Sequence, residues 1–167
     1  MGLTMADKYK IDNPTNIRIN GLLPADIKGL RTILKNEGCV DSENKFTDKE
    51  KAIALDDVQK HLSQKNSNNK KSSADILICV VKNKYLLADA KFNQKNVENL
   101  DDKELKKKLN DSKSLIQSDD FQFMNAFYVL FKGKILTEKA RRKLKQMFIS
   151  SPTYRFLNAI EFHNLFE

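Results

Sequence analysis

Two apolar runs around a short polar break mark the middle of the chain. Ile76 to Val81 is six consecutive apolar residues rich in β-branched types, and Tyr85 to Ala88 is its counterpart beyond Lys82, Asn83 and Lys84. Runs of this length bounded by turn residues predict buried strands, and the pair predicts a β-hairpin in the middle of a sheet. Helical periodicity supplies the flanking elements. Pro24 opens a first helix in which Ile27, Leu30 and Leu34 share a face, Ile33 adjoins it and Gly38 stands at the C-terminal cap. Thr47 and Glu50 have capping-box spacing, which predicts a second helix from about Asp48 to Leu62, with Leu55, Val58 and Leu62 inward and Asp56, Asp57 and Lys60 outward.

Beyond the hairpin, Asp101 to about Gln117 reads as a third helix that turns Leu105, Leu109 and Ile116 inward and presents Lys103, Lys106, Lys107, Lys108 and Lys113 on its other face. Phe121 to Phe131 reads as a further strand. A fourth helix from about Thr137 buries Ala140, Leu144, Met147 and Phe148, and the aromatic tail from Tyr154 to Phe166 fits helix or strand. Residues 1–20 form a polar arm with one short strand at Ile17 to Ile19, ahead of a single α/β domain over residues 21–167. The expected architecture is a small mixed sheet with a central β-hairpin flanked by helices.

Composition narrows the partners. The chain has 167 residues, 40% of them hydrophobic, which is enough for one sizeable core. Its formal net charge of +8 comes from 30 basic residues against 22 carboxylates, so a polyanion is the favoured partner, with nucleic acid ahead of a membrane surface. Lys139, Arg141, Arg142, Lys143 and Lys145 crowd the fourth helix, where arginine can grip phosphate with a bidentate fork. Residues 63–73 contain no apolar side chain and read as a mobile loop that brings Lys65, Lys70 and Lys71 toward the start of the hairpin. Two cysteines, Cys39 and Cys79, make no disulfide framework. The N-terminus lacks a signal-peptide core and no membrane-spanning apolar run exists, so a cytoplasmic protein, or one delivered into a target cell, is expected.

Three charged residues sit where burial should forbid them. Asp75 enters the first apolar run, and Asp89 and Lys91 interrupt the second before Phe92. A carboxylate entering a core strand costs several kcal/mol, on the order of 3–5, unless it is paired or ligated. Register decides whether the three can meet. A two-residue turn at Asn83 and Lys84 would put Asp75 opposite Phe92 and away from the other two. A three-residue loop over Lys82 to Lys84 would put Asp75 opposite Lys91 and Leu77 opposite Asp89, with all three charges on one face and the aspartates roughly 7–8 Å apart at the backbone. Two aspartates so placed offer hard oxygen ligands to Mg²⁺ or Mn²⁺, which suits phosphodiester hydrolysis. Lys91, two positions from Asp89 and on the same strand face, would orient the attacking water and stabilise developing negative charge.

Ala74-Asp75, followed after 13 residues by Asp89-Ala90-Lys91, resembles the paired motif of the PD-(D/E)XK nuclease superfamily. The order helix, strand, strand, helix, strand is similar to that family's restriction-endonuclease-like core. The resemblance implies a metal-dependent nuclease in which Asp75, Asp89 and the carbonyl of Ala90 hold the metal and Lys91 is catalytic. It also implies a further acid from the preceding helix, for which Glu37 at that helix's end is the candidate and Glu43 and Asp57 are competitors. Gln94, just past the lysine, is placed to touch substrate. A basic nuclease of this size is similar to the toxic module of a bacterial competition system, which implies an acidic inhibitor or immunity protein as a second partner. The alternatives are a non-catalytic nucleic-acid-binding domain that uses the basic fourth helix, and a protein-interaction domain with a lysine-rich surface.

Overall fold

A computed structural model describes residues 8–66 and 72–167. It shows one six-stranded sheet whose spatial order follows the chain: β1 (Ile27–Gly29), β2 (Lys51–Ala54), β3 (Ile76–Val80), β4 (Lys84–Ala90), β5 (Gln122–Phe131) and β6 (Tyr154–Asn158). The first four strands pair antiparallel and the last two join in parallel. Parallel neighbours need a crossover connection, usually a helix. α3 (Asp102–Ser114) links β4 to β5, and α4 (Glu138–Met147) links β5 to β6. α1 (Leu30–Asn36), α2 (Leu55–Asn66) and α5 (Ala159–His163) complete the mixed α/β architecture. Among the described residues no helix is long and apolar enough to cross a membrane.

Both faces of the sheet are covered, which is why its central strands read as continuous apolar runs. Leu77, Cys79, Tyr85, Leu87, Phe127 and Val129 point into one core with Val58 of α2, Leu105 of α3 and Leu144 of α4. Ile76, Ile78, Leu86, Ala88, Tyr128 and Leu130 point into the other with Leu30 and Leu34 of α1 and Phe162 of α5. The alternation along β3 and β4 places residues 75, 89 and 91 on the α2–α3–α4 side. Ile17 and Ile19 are buried in that same core, and Ile19 forms an isolated bridge to Ile116.

The hairpin connection has three residues, Val81 to Asn83, one position earlier than the expected Lys82 to Lys84. Val80 pairs with Lys84, Leu77 with Leu87 and Ile76 with Ala88. The parity is the one that gathers the charges, but continuing the register by one residue sets Asp75 across from Asp89 rather than Lys91. Lys82 and Asn83 take φ of 69° and 57°, a left-handed pair that reverses the chain.

Two helical expectations give way to strands. The helix expected from Pro24 is a 3-10 turn over Pro24–Asp26, then β1, then α1. The helix expected from Asp48 begins only at Leu55, because residues 51–54 form β2, hydrogen-bonded between β1 and β3 with Ala52, Ile53 and Ala54 buried. Alanine's helix preference is worth only tenths of a kcal/mol, ~0.5 per residue, and tertiary pairing overrides it. The Thr47–Glu50 bonds do form, with the Thr47 amide donating to Glu50 at 3.0 Å, but they close a turn rather than cap a helix. The ambiguous tail resolves into β6 followed by α5. Met147, expected inside, is exposed at the end of α4.

Candidate active site

The charged cluster lies at one end of the sheet, where β4 ends and β3 begins. Asp75 and Asp89 meet there across the hairpin. The amide of Ala90 donates to Asp75 Oδ2 at 2.7 Å. Asp89 is fully buried, and two ammonium groups share its carboxylate: Lys91 Nζ stands 3.1 Å from Oδ2 and Lys108 Nζ 3.1 Å from Oδ1. Glu104 lies beyond them, 3.7 Å from Lys91 and 3.6 Å from Lys108.

α3 builds this arrangement. Asp101 caps it by accepting from the Lys103 amide, and its inward stripe is Leu105, Lys108 and Ser112. The Ser112 hydroxyl donates to the Lys108 carbonyl and accepts from the Ala74 amide at 2.8 Å. The same helix therefore fixes the residue before Asp75 and the carboxylate of Asp89. Sequence periodicity assigns Lys108 to the outer lysine face; the structure turns it inward instead. The signal for it is its position, three residues after buried Leu105 and four before buried Ser112, where a lysine requires a buried counter-charge.

Glu37 reaches the cluster from the other side, as the C-terminal cap residue of α1. Gly38 follows with φ of 98°, the left-handed turn that ends the helix, and the Asn93 side chain packs so closely there that a Cβ would be crowded. That contact ties the end of α1 to the segment just after Lys91. Glu37, Asp56, Asp57 and Asp75 line one cavity of about 90 Å³. Asp57 also pairs with Lys28 at 2.8 Å. Glu43 is elsewhere: it accepts from the Gly133 amide at 2.7 Å and so holds a turn.

The electrostatics follow from this crowding. Burial first, then the charges of Asp89 and Glu37, push the Asp75 carboxyl up to about 8; the Ala90 amide opposes the rise and a hydrogen bond with Asp89 adds to it. Glu37 is raised by burial and by Asp56, Asp89 and Asp57, with Lys108 acting against the shift. Burial would lower Lys108, but the charges of Asp89 and Asp75 prevail and raise it. Like charges forced together on one side of a buried carboxylate are the condition that a bound cation relieves.

Among the described residues, no three acidic, histidine or cysteine side chains are gathered tightly enough to enclose a metal ion as they stand. The donor chemistry nonetheless suits a hard divalent ion, since Asp75, Asp89 and Glu37 offer only carboxylate oxygens.

The remaining sequence candidates scatter around this centre. Gln94 lines a hollow of about 110 Å³ with Lys91, Asp101 and Glu104. Arg141 is committed within the fold, donating to the Leu136 carbonyl and to Glu161 at 2.8 Å. Lys145 borders an apolar hollow with Phe148 and Phe156, and Arg142 is exposed on a third side of α4. Lys70 and Lys71 lie outside the described residues, whereas Lys65 is exposed near the end of α2. His61, without a metal-ligating partner in sequence, meets buried Asp26 at 2.9 Å, and His163 packs edge-on against Phe46. Comparison with known proteins finds no family model, curated protein or solved structure that matches the chain.

Proposed function

We infer that the chain is a metal-dependent nuclease, with Asp75, Asp89 and Lys91 as its hydrolytic centre. One observation carries this reading: Asp75, Asp89 and Lys91 share one face at one end of the sheet, with Lys91 held 3.1 Å from a fully buried Asp89. Isolated strand-end charges would instead be solvated. The element order supports a restriction-endonuclease-like core, with α1 before an antiparallel β2–β3–β4 meander, α3 crossing over, and β5 parallel to β4. α2 lies between β2 and β3 as an insertion to that order.

Asp75, Asp89 and Glu37 would hold Mg²⁺ or Mn²⁺. Such an ion, when bound, supplies a water of lowered pKa and neutralises charge on the phosphoryl oxygens. The chain's own groups do the rest. Asp75 would serve as a ligand in its ionised form, giving up to solvent the proton that its surroundings otherwise favour. Lys91 directs its ammonium toward the attacking water and the charge developing on phosphate. Lys108 holds Asp89 in place from α3, and the buried carboxylate cannot swing away while both ammonium groups grip it. Gln94, on the rim beside Lys91, meets the substrate.

The test is cleavage of plasmid DNA and of structured RNA with Mg²⁺ or with EDTA, comparing wild type with Asp89→Asn and Lys91→Ala. Cleavage that needs the metal and falls at least a hundredfold in both variants is the expected result. Metal-independent cleavage, or cleavage unchanged in Lys91→Ala, contradicts the assignment. Binding of nucleic acid without cleavage under any condition would favour a non-catalytic binding domain.

A further inference from the structure

The basic residues of α4 divide among three sides, and only one of them adjoins the candidate site. Lys139 and Lys143, one turn apart, face the segment that leaves β4. Together with Lys95 and Lys134 they line a groove of about 280 Å³. Glu98 is the one carboxylate in that lining, and it is already taken by Lys143 at 2.6 Å. Lys95, Lys134 and Lys139 are exposed and make no close ion pair among the described residues, although the Lys139 charge also acts on Glu98. The floor is apolar, with Val97 buried in the core and Ala140 and Ile135 half-buried beside it.

The groove and the site share a wall. Residues 94–101 present Gln94, Asn99 and Asp101 to the hollow beside Lys91, and Lys95 to Glu98 to the groove. Val97 anchors this wall in the core, and the Gln94 amide donates to the Lys91 carbonyl at 3.1 Å. Gln94 and Lys95 are neighbours in the chain, so the hollow beside Lys91 and the lysine groove lie on either side of one short segment.

We propose that this groove is the track for the substrate's sugar–phosphate backbone: Lys95, Lys134 and Lys139 each neutralise a phosphate of the strand that enters the centre at Asp89 and Lys91. The proposal deepens the nuclease reading and rests on it. Its chemistry is backbone recognition. Ammonium groups on flexible stems over an apolar floor, with no aromatic ring in the lining, contact phosphates and leave the bases unread. The track selects nucleic acid without selecting sequence. It also displaces Arg141, Arg142 and Lys145 from the substrate contact that their clustering in sequence suggests, since Arg141 serves the fold and the other two face away from the groove.

The experiment is fluorescence anisotropy of a labelled 20-nucleotide strand and its duplex in EDTA, across a range of salt. Wild type is compared with a Lys95→Gln/Lys134→Gln/Lys139→Gln triple variant and an Arg142→Gln/Lys145→Gln double variant. All five positions are exposed, and matched thermal unfolding curves check that the variants fold. The triple variant is expected to bind at least tenfold more weakly near 0.1 M salt. Its slope of log Kd against log salt should fall by about 2 to 3, since each lost phosphate contact removes ~0.7–0.9 from the slope. The double variant should lose less than twofold. A triple variant no weaker than the double variant overturns the track, as does one whose loss appears on anionic phospholipid vesicles but not on the oligonucleotides. Parallel cleavage with Mg²⁺ separates the two levels. Wild-type cleavage with an unaffected triple variant overturns the track alone, whereas a weakened triple variant without wild-type cleavage supports the track and removes the nuclease reading.

Discussion

Asp75 is a carboxyl held in its neutral form by its surroundings, and that has a thermodynamic consequence. Its unfolded value lies near 3.8 and its folded value near 8, so the folded chain holds this proton more tightly than the unfolded chain does. Stability then falls as pH rises through that interval, and the loss is complete above about 8. Asp75→Asn removes the slope. Urea midpoints of wild type and Asp75→Asn, measured from pH 5 to 8.5, should therefore diverge in the variant's favour as pH rises; parallel profiles would refute the shift. Lys108 bears on stability through its charge beside Asp89. With Lys108→Met, Asp89 stays buried with Lys91 as its one remaining cation, and the expected loss is about 1–3 kcal/mol, below the ~3–5 kcal/mol for stripping a buried charge of its partner. Equilibrium denaturation checks the value, and a variant as stable as wild type would mean that the Lys108 contact is not formed.

At the scale of elements, the central hairpin was legible and the strand beside it was not. Ile76 to Val81 and Tyr85 to Ala88 announced themselves because both faces of β3 and β4 are buried, so apolarity alone marks them. The parity of the connection was legible too, since only an odd loop lets Asp75 share a face with Asp89. Its placement at residues 81–83 was not, because Val81 looks like strand and only the left-handed pair at Lys82 and Asn83 reveals the turn. β2 was hidden for another reason. Lys51–Ala54 carries two alanines and follows a capping motif, and its strand state comes from pairing with β1 and β3, which no local pattern records. Asn83 offers a direct check on the turn. Asn83→Val forces a β-branched residue to positive φ and should lower stability by about 1–2 kcal/mol, whereas Asn83→Gly should be within ~0.5 kcal/mol of wild type. Equal midpoints for the two variants would contradict this turn geometry.

Across the whole molecule, the candidate centre is where four separate pieces of chain converge. Asp75 stands just before β3, Asp89 in β4 with Lys91 just after it, and Glu37 at the C-terminal cap of α1, while α3 brings Lys108 and holds Ala74 through Ser112. The strand residues could be found from sequence because a charge in an apolar run is conspicuous. Lys108 stands in a helix with four other lysines, and its spacing from Leu105 and Ser112 marks it as inward only once polar Ser112 is seen to be buried. The same limit applies to α4, whose basic residues form one cluster in sequence but serve three surfaces in space.

We propose that carboxylates from the start of β3, from β4 and from the end of α1 hold one divalent cation at the hydrolytic centre. Titration with Mn²⁺, counted by electron paramagnetic resonance at pH 8, tests it without relying on turnover. Wild type should bind one Mn²⁺ per chain that Mg²⁺ displaces, and Asp75→Asn and Asp89→Asn should each weaken that binding at least tenfold. A folded wild type that binds no Mn²⁺, or one whose binding survives both substitutions, would rule out this metal site.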